Sequence, residues 1–180
     1  MRYVSRLIST VSVAGLLLGL VAVPPVNAQV EGLSDEQIAL VQENCQTVKT
    51  TLNQLHASDA LLRVNRGQVY ESILTRLIQR FNTRLSNNDF DNRAMVTITD
   101  KYQQSLNSFR LDYQVYEEQL SATIKMDCQA KPEEFHFAIE DARAKRAQVH
   151  EDVQALYRTM EDYDSVVDDF LLSYQMENGK

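Results

Sequence analysis

Past residue 29 the chain has almost nothing with which to turn a corner: one proline, Pro132, and three glycines, Gly32, Gly67 and Gly179. Sandwiches and α/β domains place these residues at many tight turns, because glycine reaches positive φ without steric cost and proline presets the first turn position. A chain that lacks them must run in long straight elements. Ala, Leu, Glu, Gln and Arg are plentiful, and all five are strong helix formers. The expectation is therefore an all-α fold with very few corners.

Apolar periodicity places the helices. In "GLSDEQIALVQENC" Ser34 precedes Gln37 by three, a capping box, with Asp35 and Glu36 suited to the positive end of a helix. Val48, Leu52 and Leu55 continue the stripe. Ser58 and Asp59 either cap a new helix or ride through an unbroken one. Leu62, Val69, Ile73, Leu77, Phe81 and Leu85 then form a stripe that is expected to face the core, up to a turn over residues 86–92. The next segment has the cleanest heptad: Thr99, Tyr102, Leu106, Phe109, Tyr113, Tyr116, Leu120 and Thr123 alternate steps of three and four, the mark of a long left-handed seam. Pro132, with Glu133 and Glu134, suits a first helical turn. From Phe135 through Ile139, Ala142, Val149, Leu156 and Tyr163 to Tyr174 the same alternation is broken only by Arg146. Helices are predicted over about 35–86, with a break near residue 58 left open, about 92–127 and about 132–175. Short corners make neighbours antiparallel. The expected fold is an elongated antiparallel three-helix bundle with coiled-coil-like packing, one domain over residues 29–180.

The N-terminus reads as an export signal. Arg2 and Arg6 precede an apolar run over residues 7–23, followed by Val26, Asn27 and Ala28, so residues 1–28 are expected to be a signal peptide cut after Ala28. The run is 17 residues, short of the roughly 20 that span a bilayer. An uncleaved anchor is the alternative. The expected location is periplasmic or extracellular, with no membrane span after cleavage. Without Arg2 and Arg6, 16 cations face 25 acids, a net charge of about −9, which disfavours nucleic acid as a partner.

Export makes the cysteines informative. If the first two long helices run antiparallel through the turn at 86–92, their residues face each other when their numbers sum to about 178, and those of the last two when they sum to about 260. Cys45 and Cys128 then fall at one end, and an oxidising compartment favours a Cys45–Cys128 disulfide. His56 and His136 lie near the same end, but Cys45 and His56 are about three turns apart and cannot share an ion, so no metal is expected.

The register also gathers charge midway along the bundle. Arg66, Asp112, Tyr113, Glu117 and Arg146 are expected to converge, either as an internally paired polar layer that fixes helix register or as a site for a small anion or a partner's carboxylate. The tyrosines follow packing spacing, as core rings whose hydroxyls reach the rim. Over 60–86 five arginines face Glu71 alone, whereas 150–180 holds eight acids; the register sets Arg80 and Arg84 level with 162–169, so these blocks are expected to pair within the monomer.

No catalytic signature occurs: there is no His-Glu-x-x-His, phosphate loop or nucleophile elbow, and the acid neighbours in "YEEQL" and "HEDV" point to different helix faces. Neither enzyme activity nor a cofactor is expected. The segments "ALLRVNRGQVYESI", "DYQVYEEQL" with Cys128, and "KRAQVHEDV" resemble segments of uncharacterised secreted all-helical proteins of small-genome candidate-phylum bacteria, over roughly residues 45–167. That resemblance implies export and a helical fold and carries over no ligand or catalytic residue. The expected function is a non-enzymatic structural or protein-interaction role in the cell envelope or extracellular space, as monomer or homodimer, with an unidentified protein partner. A periplasmic chaperone that holds apolar clients on exposed Phe90, Met95, Leu111, Val115 and Phe137 is one alternative. A small-ligand sensor at the arginine layer is the other.

Overall fold

The computed structural model describes residues 32–178, and the expected signal peptide over residues 1–28 lies outside them. Every regular element among the described residues is helical. Helix α1 covers Asp35–Ser72, a π-helical segment Ile73–Ile78 leads into α2 at Gln79–Asn87, α3 covers Arg93–Lys125, and α4 covers Pro132–Asn178. The ends follow the sequence signals. Gln37 N–H donates to Ser34 Oγ at 3.3 Å and Ser34 N–H to Gln37 Oε1 at 2.9 Å, which satisfies two of the orphan donors at the start of α1.

Helix α1 does not break at Ser58. Asp59 rides through the helix, because its carboxylate is held by α3 and α4 and is not available to cap a new start. The irregularity comes later and has a geometric cause. Tyr70, Leu74, Ile78 and Asn82 are all buried and four residues apart, and in a helix of 3.6 residues per turn each such step drifts about 40°. The wider turns of the π segment take up that drift, so the four side chains stay on one line facing α3 and α4. This corrects half of the expected core stripe: Leu62, Val69 and Leu77 are 50%, 51% and 62% exposed, whereas Leu85 is buried and Ile73 and Phe81 pack against the core. Between Asp59 and Tyr70, α1 places no buried side chain in the core.

At the first corner Leu85 carbonyl accepts from Phe90 N–H at 3.0 Å, and Asp89 takes a positive φ of 59°, which a short polar side chain tolerates. Asn92 ties the corner down by donating to Asn82 O and Ser86 Oγ, each at 2.8 Å. The second corner begins where Met126 turns extended, and Asp127 Oδ1 accepts from Gln129 and Ala130 N–H groups. Cys128 sits in this connection, with its Cα 5.7 Å from that of Cys45, in a Cys45–Cys128 disulfide.

Helices α3 and α4 pack closely. Two buried clusters fill the interior. One, toward the 86–92 corner, joins Tyr70, Leu74 and Ile78 to Met95, Tyr102, Leu106, Phe109, Leu156 and Tyr163. The other, at the disulfide end, joins Leu52 to Tyr113, Tyr116, Leu120 and Phe135. Phe109, Tyr113 and Tyr116 are thus core, each contributing roughly 2 kcal/mol of burial. Their hydroxyl relatives are paired inside: Tyr102 OH donates to Tyr70 O at 3.1 Å, and Tyr163 OH donates to Asn82 Oδ1 at 2.7 Å. Burial pushes both phenols up to about 12. Met95 is 1% exposed and cannot serve as a client surface, whereas Phe90, Leu111, Val115 and Phe137 are exposed.

Candidate functional site

Between the first half of α1 and the start of α4 runs a groove of about 530 Å³. Its floor is Tyr116 and Leu120 of α3, both buried, and its walls are Leu40, Val41, Val48, Leu52 and Leu55 on one side and Phe135, Ile139 and Ala142 on the other. Asn44, Thr47 and Thr51 edge the α1 wall; His136, Glu140, Arg143 and Arg146 edge the α4 wall. The Cys45–Cys128 bond and two reciprocal contacts, Gln42 Nε2 to Gln129 O at 2.9 Å and Gln129 Nε2 to Gln42 O at 2.6 Å, pin α1 at this end. Leu33 N–H also donates to Glu133 Oε1 at 3.0 Å. The opening is therefore held by covalent and polar ties beside it and needs no apolar closure of its own.

The inner end of the groove is closed by a charged node. Asp59 Oδ2 accepts from Tyr116 OH at 2.7 Å and from Arg146 Nε at 2.8 Å, and Arg146 Nη2 reaches Oδ1 at 3.2 Å. Burial works to raise the Asp59 carboxyl, but the Arg146 and Tyr116 hydrogen bonds outweigh it and hold the group below the usual carboxylate range. Burial and the Asp59 carboxylate both push the Tyr116 phenol up. The guanidinium still lines the groove, with its side chain half exposed. Beside the node His56 Nε2 lies 3.0 Å from Glu117 Oε1, and Ser121 Oγ donates to the same oxygen at 3.2 Å. The His56 contact, ahead of a smaller opposing effect of burial, lowers the Glu117 carboxyl.

The five residues expected to form one layer separate into different contacts. Arg146 pairs with Asp59, Glu117 with His56, and Tyr113 lies under the Arg63 guanidinium, 5.2 Å from the ring centroid. Arg66 Nη1 reaches Tyr157 OH at 3.5 Å, two turns of α1 away from Asp59. Asp112 faces Asp152 of α4. Asp59 is the member sequence reasoning missed. Its signal was available, since Leu52, Leu55, Asp59 and Leu62 continue the three-four alternation and set a carboxylate in a stripe opposite Arg146.

The Asp112–Asp152 contact is of another kind. Asp152 is buried and its Oδ2 has no hydrogen-bond partner. Burial, together with the neighbouring Asp112 carboxyl, pushes Asp152 up to about 6. Among the described residues no group of three or more His, Cys, Asp or Glu side chains is arranged to hold a metal ion, and no helix is long and apolar enough to cross a membrane. Comparison with protein-family models, curated proteins and solved structures finds no match.

Proposed function

We propose that the protein is a non-enzymatic interaction protein of the cell envelope or extracellular space. Its three rods form an elongated antiparallel bundle with coiled-coil-like packing, and the disulfide end holds an amphipathic helix of a protein partner. The observation that carries this reading is the groove between α1 and α4, apolar on its floor and both walls yet edged by polar side chains. From Leu40 to Leu55 it extends about 22 Å, four helical turns. A partner helix seated there would bury its apolar face as a fourth member of the bundle, the arrangement of helix-in-groove recognition. Export is supported by the Cys45–Cys128 pair, which persists in an oxidising compartment.

The test is binding of a fluorescent amphipathic peptide of about 18 residues, leucine on one face and glutamate on the other, followed by anisotropy. Micromolar binding, weakened at least tenfold by Leu40→Glu or Thr51→Glu, is expected. Both positions are exposed on the groove edge, so the fold is retained. No binding at about 1 mM, or binding that ignores both substitutions, sinks the reading.

A further inference from the structure

The part of the stripe displaced from the core leaves the segment over 62–84 with an outward face of unusual character. Leu62, Val69 and Leu77 are exposed apolar side chains on one line. Beside them stand Arg76, Arg80 and Arg84, exposed, with guanidinium groups that have no ion-pair or hydrogen-bond partner among the described residues. The one acid of the segment, Glu71, is engaged by Arg110 of α3. A basic and apolar stripe therefore faces solvent on a chain whose net charge is −7.

The complement lies on the same chain. Over 161–177, α4 carries six acids and no cation, and all six are exposed: Glu161, Asp162, Asp164, Asp168, Asp169 and Glu177. Leu171, Leu172 and Met176 beside them are 44%, 59% and 72% exposed. The Asn82–Tyr163 hydrogen bond and the Phe81–Phe170 ring contact set both blocks at one end of the fold. Level as they are, no ion pair among the described residues joins Arg80 or Arg84 to these acids, which corrects the expected pairing within the monomer.

We propose that the partner of this face is a second copy of the chain: the basic apolar stripe at 62–84 of one protomer lies on the acidic apolar end of α4 of its partner, and reciprocally about a two-fold axis. Two-fold symmetry makes this one contact twice from one pair of patches and leaves no open edge. The charges select the partner and its direction, while the leucines and the methionine supply the dehydrated contact. By helical rise the acidic end, roughly 24 Å long, fits within the stripe, roughly 33 Å long. This association uses neither wall of the α1–α4 groove.

The experiment is sedimentation velocity of the exported, disulfide-intact protein from about 1 to 200 µM, with a triple charge reversal on each patch. A concentration-dependent dimer that weakens with added salt is expected. R76E/R80E/R84E and D164R/D168R/D169R should each remain monomeric, and an equimolar mixture should restore the dimer, because both contacts then pair opposite charges again. Leu62→Ser/Leu77→Ser, which leaves the charge alone, should weaken association at least tenfold. A wild-type protein that stays monomeric throughout, a dimer indifferent to both reversals, or a mixture that does not re-form overturns the proposal. So does sedimentation with phosphatidylglycerol vesicles in the absence of self-association, which would give the stripe to an anionic surface.

Discussion

Replacing Asp152 by asparagine is expected to stabilise the protein at neutral pH and to leave it unchanged near pH 4. Asp152 is buried between α3 and α4, beside Asp112, with Oδ2 unpartnered. Burial first, and the Asp112 carboxyl second, raise it from 3.8 to about 6. A folded-state value above the unfolded one means that the folded protein binds the proton more tightly. The contribution is therefore fully present below about pH 3.8 and is lost as pH rises through about 6. Two units correspond to about 3 kcal/mol; partial exposure of Asp112 lets water screen the pair, so about 2 kcal/mol is the better expectation. Asparagine has the same shape, cannot ionise, and can donate its amide to the Asp112 carboxylate. Urea unfolding of the two proteins between pH 4 and 7.5 is the assay, with the difference between them isolating this site from carboxylates such as Asp59 whose shifts run the other way. Coincident curves at pH 4 that diverge by about 2 kcal/mol near pH 7, with the variant more stable, are expected. Parallel curves across the range, or a variant less stable at pH 7, would refute the account.

The Asp59 node predicts a coupling. Asp59→Ala and Arg146→Ala should each cost about 2–3 kcal/mol, the second because it strips the guanidinium from a buried carboxylate, and the double variant should cost less than their sum; strict additivity in a denaturation cycle would separate the two residues. Replacing Cys45 and Cys128 by serine removes a cross-link spanning 83 residues, worth roughly 4–5 kcal/mol by chain entropy. Amide exchange should then accelerate most over 35–55 and least in α3, and a uniform increase would show that the bond does not anchor α1.

The long elements were legible because the sequence leaves so few places to turn, and because the α3 heptad is uninterrupted from Thr99 to Thr123. Their ends fell close to expectation: 35 to 87 with the π segment, 93–125, and 132–178. The disulfide was legible for the same reason, since the short corner at 86–92 fixes the register of the first two long segments closely enough to bring Cys45 and Cys128 to one end. Which face of α1 and α2 turns inward was not legible. Leu62, Val69 and Leu77 offer one apolar line and Tyr70, Leu74 and Ile78 another, and each satisfies helical periodicity on its own terms. The second line wins because the π segment realigns its four-residue spacing and because Tyr70 carbonyl and Asn82 meet buried phenols of α3 and α4. Neither fact is visible in one helix read alone.

The polar interior follows the same logic. A layer drawn from helix levels collects residues that are near in height, but partners are chosen by direction around each helix, and a step of one residue turns a side chain by about 100°. Arg66 and Arg146 were near enough in height to be grouped. Around α1, however, Asp59 faces the α3–α4 side, where it meets Tyr116 and Arg146, while Arg66 leans to the rim at Tyr157. The node thereby closes one end of the α1–α4 groove with a charge that is already neutralised. An apolar helix can then lie against Arg146 without leaving a bare carboxylate beneath it. Losing Arg146 would expose the groove to the Asp59 charge, so the substitution that weakens the fold should also weaken the partner peptide, and more so above the Asp59 carboxyl's titration than below it.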